Sequence, residues 1–123
     1  MAKRILIIED DKFLRRVMTQ KLSKEGFEIS EALDGENGLK KAEEENPDLV
    51  LLDLILPGID GFEVLAKMKQ NPKIAKTPVI ILSNLGQKED IDKGLKMGAA
   101  DYLIKAHFTP GEIIDRIEKA IGE

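Results

Sequence analysis

Leu49 to Leu52 are four consecutive large apolar residues, and Asp53 follows them directly within Asp48–Gly61, DLVLLDLILPGIDG. An apolar run of strand length buries both faces, which a parallel sheet covered by helices provides. A carboxylate at the end of such a strand costs several kcal/mol unless something pairs it, so Asp53 demands a partner. Pro57-Gly58 marks a turn just beyond. Asp60-Gly61, with Glu63 three residues after Asp60, has the capping-box pattern that opens a helix. The local order is strand, isolated acid, loop, helix.

The rest of the chain repeats that order. Ile5–Ile8 form a first apolar run that ends at Glu9, Asp10 and Asp11. From Asp11 to about Glu25, Phe13, Leu14, Val17, Met18 and Leu22 recur at helical spacing, and Gly26 closes that helix. Phe27–Ala32 predicts a short second strand. Asp34-Gly35 turns into a polar helix with Leu39 and Ala42 on its inner face, stopped at Asn46-Pro47. Phe62, Leu65 and Met68 mark a third helix ending near Asn71-Pro72, and Pro78 takes the first position of a fourth strand, Val79–Leu82, terminated by Ser83. Gln87–Met97 predicts a fourth helix through Ile91 and Leu95, despite the penalty of about 1 kcal/mol at Gly94. Tyr102–Ile104 predicts the fifth strand, followed at once by Lys105. Thr109-Pro110-Gly111-Glu112 supplies an N-cap, a proline at N1 and an acid at N3 for a last helix through Ile113, Ile114, Ile117 and Ile121.

At 123 residues the chain suffices for one domain with a single proper core, expected as one compact unit from Ala2 to about Gly122. A net charge of -4 with interspersed Lys and Glu argues against a general nucleic-acid or membrane surface. The absence of cysteine removes any disulfide framework or thiolate metal site and is compatible with a reducing cytoplasm. The start, MAKRILIIEDD, carries too short an apolar run for a signal peptide, and no later stretch is long enough to span a membrane.

Five β-α units imply a parallel sheet with helices on both faces, and ligands of such sheets sit beyond the carboxyl ends of the strands. The polar residues fall there: Glu9 and Asp10 after the first strand, Asp53 after the third, Ser83 after the fourth, Lys105 after the fifth. With the first and third strands adjacent, three carboxylates share a small volume. At about 4 Å and an effective dielectric near 20, each like-charge pair costs about 4 kcal/mol, so a divalent cation is the expected remedy. All-oxygen ligands favour magnesium or manganese over zinc. Asp11 and Asp60 are expected as helix caps, Asp101 as a solvated turn residue and His107, the only histidine, as a solvated loop residue.

The motifs IIEDD, LLDLILPGIDG, IILSN and DYLIK, in this order and spacing, make the chain resemble the receiver domain of bacterial two-component response regulators, over nearly its whole length. The resemblance implies a flavodoxin-like three-layer α/β/α sandwich with strand order 2-1-3-4-5 and a cytoplasmic receiver domain over residues 1–123; with no room after Gly122 for an output domain, a single-domain, chemotaxis-regulator-like protein or an excised receiver is expected. It makes Asp53 the phosphoacceptor, charged by a sensor histidine kinase, a phosphotransfer protein or a small donor such as acetyl phosphate. Asp10, Asp53 and the Ile55 backbone carbonyl would ligate Mg2+ or Mn2+, with Glu9 acting through a bound water. Ser83 and Lys105 would contact the phosphoryl oxygens, and Tyr102 is similar to the aromatic that turns inward when the serine moves. The fourth-helix, fifth-strand and fifth-helix face would carry the signal to a protein target, in a monomer or a phosphorylation-linked homodimer, with no direct nucleic-acid or membrane binding. The chain would be a phosphoacceptor switch and not an enzyme.

Five positions, making four departures, differ from the family pattern. Glu9 stands where an aspartate is usual, Ala106 where a proline usually follows the lysine, and Asn84 where the residue is usually small. A cis bond before alanine costs about 2.5 to 4 kcal/mol, so Lys105-Ala106 is expected to be trans. Ile55 and Leu85 occupy positions that in the family tune attack by water, and as apolar residues they predict slow autodephosphorylation. Partner contact is expected at the first helix around Leu14, Arg15 and Met18 and at the late face of Lys88, Asp92, Lys96 and Arg116, with Asp101 and Arg116 available to a homodimer. Two other classes compete: a Mg2+-dependent phosphatase or mutase, disfavoured because Ile55 is not the second acid such enzymes need, and a receiver-like interaction scaffold that never takes phosphate.

Overall fold

The computed structural model describes residues 2–122 and contains five strands alternating with five helices. They run β1 (Arg4–Ile8), α1 (Lys12–Lys24), β2 (Glu28–Ala32), α2 (Gly35–Glu45), β3 (Leu49–Leu52), α3 (Gly61–Gln70), β4 (Val79–Ser83), α4 (Lys88–Lys96), β5 (Asp101–Ile104) and α5 (Pro110–Ile121). All strand pairs are parallel, in the order β2-β1-β3-β4-β5. The expected three-layer architecture and strand order are therefore observed.

Strand pleating divides the apolar runs between two faces. Leu6, Ile8, Val50, Leu52, Val79 and Ile81 pack with α2 and α3 residues Ala42, Val64, Leu65 and Met68. Ile5, Ile7, Leu49, Leu51, Ile80 and Leu82 pack with Met18 and Leu22 of α1 and Ile113, Ile114 and Ile117 of α5. Each such side chain contributes about 1.5–3 kcal/mol when fully removed from water. A period of two within each strand and helical spacing within each helix thus build two cores about one sheet.

The helix boundaries follow the capping chemistry. Asp11, Asp34, Asp60 and Thr109 each accept a backbone N–H of the first turn of α1, α2, α3 and α5, and Thr109 with Glu112 completes a reciprocal capping box. Asn46, at φ 50°, ends α2 in the left-handed region just before Pro47.

Several expectations for individual side chains are corrected. Phe13 and Leu95 belong to the apolar spacing of α1 and α4 yet are 79% and 45% exposed, because each helix presents only a narrow stripe to the sheet. Met18, expected at a partner surface, is fully buried, and Leu14 and Arg15 are half-buried because that side of α1 rests on the sheet. Asp101 is not a solvated turn residue but the first residue of β5: it accepts Tyr102 N–H and pairs with Arg116 Nη1 at 2.7 Å. Asp101 and Arg116 are thus partners of each other within the chain. His107 is exposed, in a single 3-10 turn, Lys105–His107, which the sequence pattern did not reveal. Among the described residues no peptide bond is cis, so Lys105-Ala106 is trans. No helix among them is long and apolar enough to cross a membrane.

Gly61, the first residue of α3, lies against the backbone of the strand end that carries Asp53. A Cβ there would stand 2.3 Å from the Asp53 carbonyl oxygen and 2.6 Å from Leu54 Cα, both backbone atoms that cannot yield alone. Gly61→Ala is expected to destabilise the fold by about 1–3 kcal/mol, the usual range for overpacking, read as a lowered urea midpoint.

Candidate functional site

The order β1-β3-β4-β5 brings the ends of four strands to one rim. Glu9 and Asp53 follow directly on β1 and β3, which pair so that Ile8 faces Leu52. Both carboxylates are buried, at 3% and 5% exposure, whereas Asp10 is exposed. Carboxylate oxygens of Glu9, Asp10 and Asp53 lie within 4.8 Å of one another. Lys105, at the end of β5, places its Nζ 2.8 Å from Glu9 Oε1 and 2.9 Å from Asp53 Oδ2.

Backbone donors complete the shell. Asp53 Oδ1 accepts the N–H groups of Leu54 at 2.7 Å and Ile55 at 3.3 Å, and Glu9 Oε2 accepts that of Asp11 at 3.1 Å. Burial pushes the Glu9 carboxyl from its ordinary 4.5 up to about 7; the Lys105 hydrogen bond opposes the rise and the Asp53 charge adds to it. Burial disfavours charge on Lys105, but the hydrogen bonds and charges of Glu9 and Asp53 together outweigh it and raise its pKa. Three acids face one lysine, so the cluster remains short of positive charge.

Ser83 ends β4 fully buried, and its Oγ accepts Leu85 N–H at 3.3 Å. Tyr102 of β5 lies inward, and its hydroxyl donates to the Leu85 carbonyl. Burial, with Asp90 and Asp53 adding to it, pushes the phenol up to about 12, so it stays a donor across the neutral range. The glycine that weakens α4 by propensity has a packing reason. A Cβ on Gly94 would stand 2.7 Å from Ile81 Cδ1 and 3.1 Å from Tyr102 Cδ2, so its absence lets α4 settle onto the tyrosine ring.

The structure brings Glu9, Asp10, Asp53 and Lys105 into one pocket, with Ser83, Leu85 and Tyr102 linked on the β4–β5 side. Ile55 reaches Asp53 through its N–H, while the residue as a whole is 57% exposed. Asn84 is exposed. Sequence reasoning missed Arg15, whose Nη1 donates to the Glu9 carbonyl at 3.0 Å. Its place in the first turns of α1, just after three acids, was the available signal.

A doubly wound α/β domain with this strand order, carrying an acid–lysine pocket on the carboxyl rim of its sheet, belongs to the flavodoxin-like class of folds. The family model for the response regulator receiver domain matches residues 5–118, and the chain belongs to that family. It is 37% identical over 117 residues to the transcriptional regulatory protein AfsQ1 of Streptomyces coelicolor, covering 95% of this chain and 50% of that protein. The chain spans about half the length of the curated relatives it matches most fully. Among solved structures it resembles a CheY-like receiver domain protein from Methanospirillum hungatei JF-1, with TM-score 0.91 and 30% identity over 98% of this chain and 94% of that one. It also resembles the Mn(2+)-bound form of response regulator Rcp1, with TM-score 0.84 and 31% identity over 95% and 92% of the two chains. The chain is thus homologous to regulators of two-component phosphorelay signalling, whose receiver domains are phosphoacceptor switches that bind Mg2+ at an acidic pocket and work with histidine kinases and downstream targets.

The raised pKa of Glu9 sets a pH dependence. Between pH 4.5 and about 7 the folded chain holds a proton that the unfolded chain has lost, so this group's contribution to stability falls as pH rises through that window. In metal-free protein, Glu9→Gln is expected to remove that slope, measured by urea unfolding at pH 5 and pH 8; equal slopes in the two proteins would contradict it.

Proposed function

We propose that this chain is a phosphorylatable switch in which Asp53 accepts a phosphoryl group. The observation that carries the reading is the buried Asp53 carboxylate, paired with Lys105 at 2.9 Å inside a three-acid cluster. An Asp53 oxygen forms the new O–P bond as the N–P bond to the donor histidine, or the O–P bond to the acyl group of acetyl phosphate, breaks. Lys105 and the Ser83 hydroxyl are the groups available to hold the phosphoryl oxygens, and transfer of this kind depends chiefly on positioning and charge neutralisation. The all-oxygen donor set fits a hard dication: Asp10, Asp53 and the Ile55 carbonyl would hold Mg2+ or Mn2+, with Glu9 through a water. When bound, the ion supplies further neutralisation of charge.

The phosphoryl group adds up to about two negative charges where Lys105 now pairs with two acids. Ser83, Leu85 and Tyr102 form a chain of contacts from the pocket toward α4, so the reading assigns the switch to them and the output to the α4–β5–α5 face. Lys88, Asp92, Lys96 and Arg116 are exposed there, suited to a polar protein partner. The donor is a sensor histidine kinase or phosphotransfer protein, in the cytoplasm.

Incubation with acetyl phosphate and Mg2+ is expected to add one phosphoryl mass to the wild type and none to Asp53→Asn, read by intact mass; equal labelling of the two would end the proposal. Ile55 and Leu85 carry apolar side chains that cannot orient an attacking water. An Ile55→Asn, Leu85→Glu double variant is therefore expected to lose its phosphoryl group at least about tenfold faster, at the low end of or below what a positioned acid–base group contributes. A decay no faster than wild type would refute the long-lived state.

A further inference from the structure

Two of the three clustered acids, Glu9 and Asp10, lie in a short connection, Glu9–Asp10–Asp11, between the end of β1 and the start of α1. Asp10, the exposed member of the cluster, accepts no side-chain hydrogen bond among the described residues, so its place depends on the backbone on either side. On the Asp11 side, that backbone is held as the N-cap of α1. On the Glu9 side, the N–H donates to Ala32 O at 3.1 Å and the carbonyl accepts Arg15 Nη1 at 3.0 Å.

Arg15 is itself fixed. Its Nε donates to Glu31 Oε1 at 2.8 Å, and the other oxygen of Glu31 accepts Thr19 Oγ1 at 2.7 Å. The Arg15 side chain is 12% exposed. One guanidinium therefore ties α1, the β2 edge and the turning point of the acidic connection together, and its planar fork suits two acceptors at once.

We propose that Arg15, braced by Glu31 and Thr19, is a positioning residue for the divalent-cation pocket: it clamps the Glu9 carbonyl and so sets where Glu9 and Asp10 present their carboxylates. This rests on the magnesium-binding reading given above. Arg15 carries positive charge beside a cation site, so its charge and its clamp act in opposite senses. Removing it strengthens Mg2+ binding if only through-space charge matters and weakens binding if the clamp matters. Groups that orient metal ligands typically contribute 10- to 100-fold in affinity.

Mg2+ binding to the full chain by isothermal titration calorimetry separates the two. Arg15→Gln, shown folded by circular dichroism, is expected to bind Mg2+ about tenfold more weakly than wild type. Arg15→Lys, which keeps the charge but loses the fork, is expected to fall between them. Arg4→Gln serves as control, since it removes another ion pair to a β2 glutamate, Arg4–Glu28 at 3.1 Å, at the far end of β1 and β2, and should leave the affinity unchanged. If Arg15→Gln does not fold, Thr19→Val tests the brace without changing charge, and a smaller loss in the same direction is expected. Affinity equal to or tighter than wild type in Arg15→Gln, or unchanged in Thr19→Val where that variant is needed, overturns the clamp. Wild-type protein that takes up no Mg2+ overturns the pocket reading itself, a result distinguishable from either.

Discussion

The Lys105 ammonium, between Glu9 Oε1 at 2.8 Å and Asp53 Oδ2 at 2.9 Å, holds together three strand ends that carry their charges out of the sheet. Adjacent strands lie about 4.8 Å apart, so β5 reaches across β4 to the ends of β3 and β1 through one long side chain. Two buried carboxylates in a low-dielectric rim are costly when unpaired, and a single cation is an incomplete answer to three acids. That imbalance leaves the cluster with more acids than the one lysine can pair.

The same economy of space shapes the surroundings. Gly61 lets α3 begin against the carbonyl of Asp53, and Gly94 lets α4 lie on Ile81 and Tyr102. Both close approaches place helices where the rim needs them. From the Ser83 hydroxyl the contacts pass through Leu85 N–H and C=O to the Tyr102 hydroxyl, so a pull on the serine acts on the loop that precedes α4.

Capping residues and apolar runs are legible locally because their causes are local. Asp11, Asp34, Asp60 and Thr109 cap their helices as the sequence pattern indicates, and Gly26 lies in the left-handed region after α1, since these conformations depend on a few neighbouring residues. Side-chain facing is less legible. Phe13 and Leu95 sit at apolar helical spacing but face solvent, and Met18 faces the core instead of a partner, because the rotation of a helix about its axis is decided by what it packs against. Asp101 looked like a turn residue until β5 paired with β4 and Arg116 came within reach from α5.

Sequence by itself determined the alternation of strands and helices, their caps, and the placement of Glu9, Asp10, Asp53, Ser83 and Lys105 at strand ends, because hydrophobic period and capping are short-range properties. Only the tertiary structure decided that Lys105 bridges Glu9 and Asp53, that Tyr102 bonds to Leu85, and that Arg15 grips the Glu9 carbonyl. Those contacts join groups as many as 96 positions apart, Lys105 to Glu9, and exist only once strand order and helix docking have set their distances.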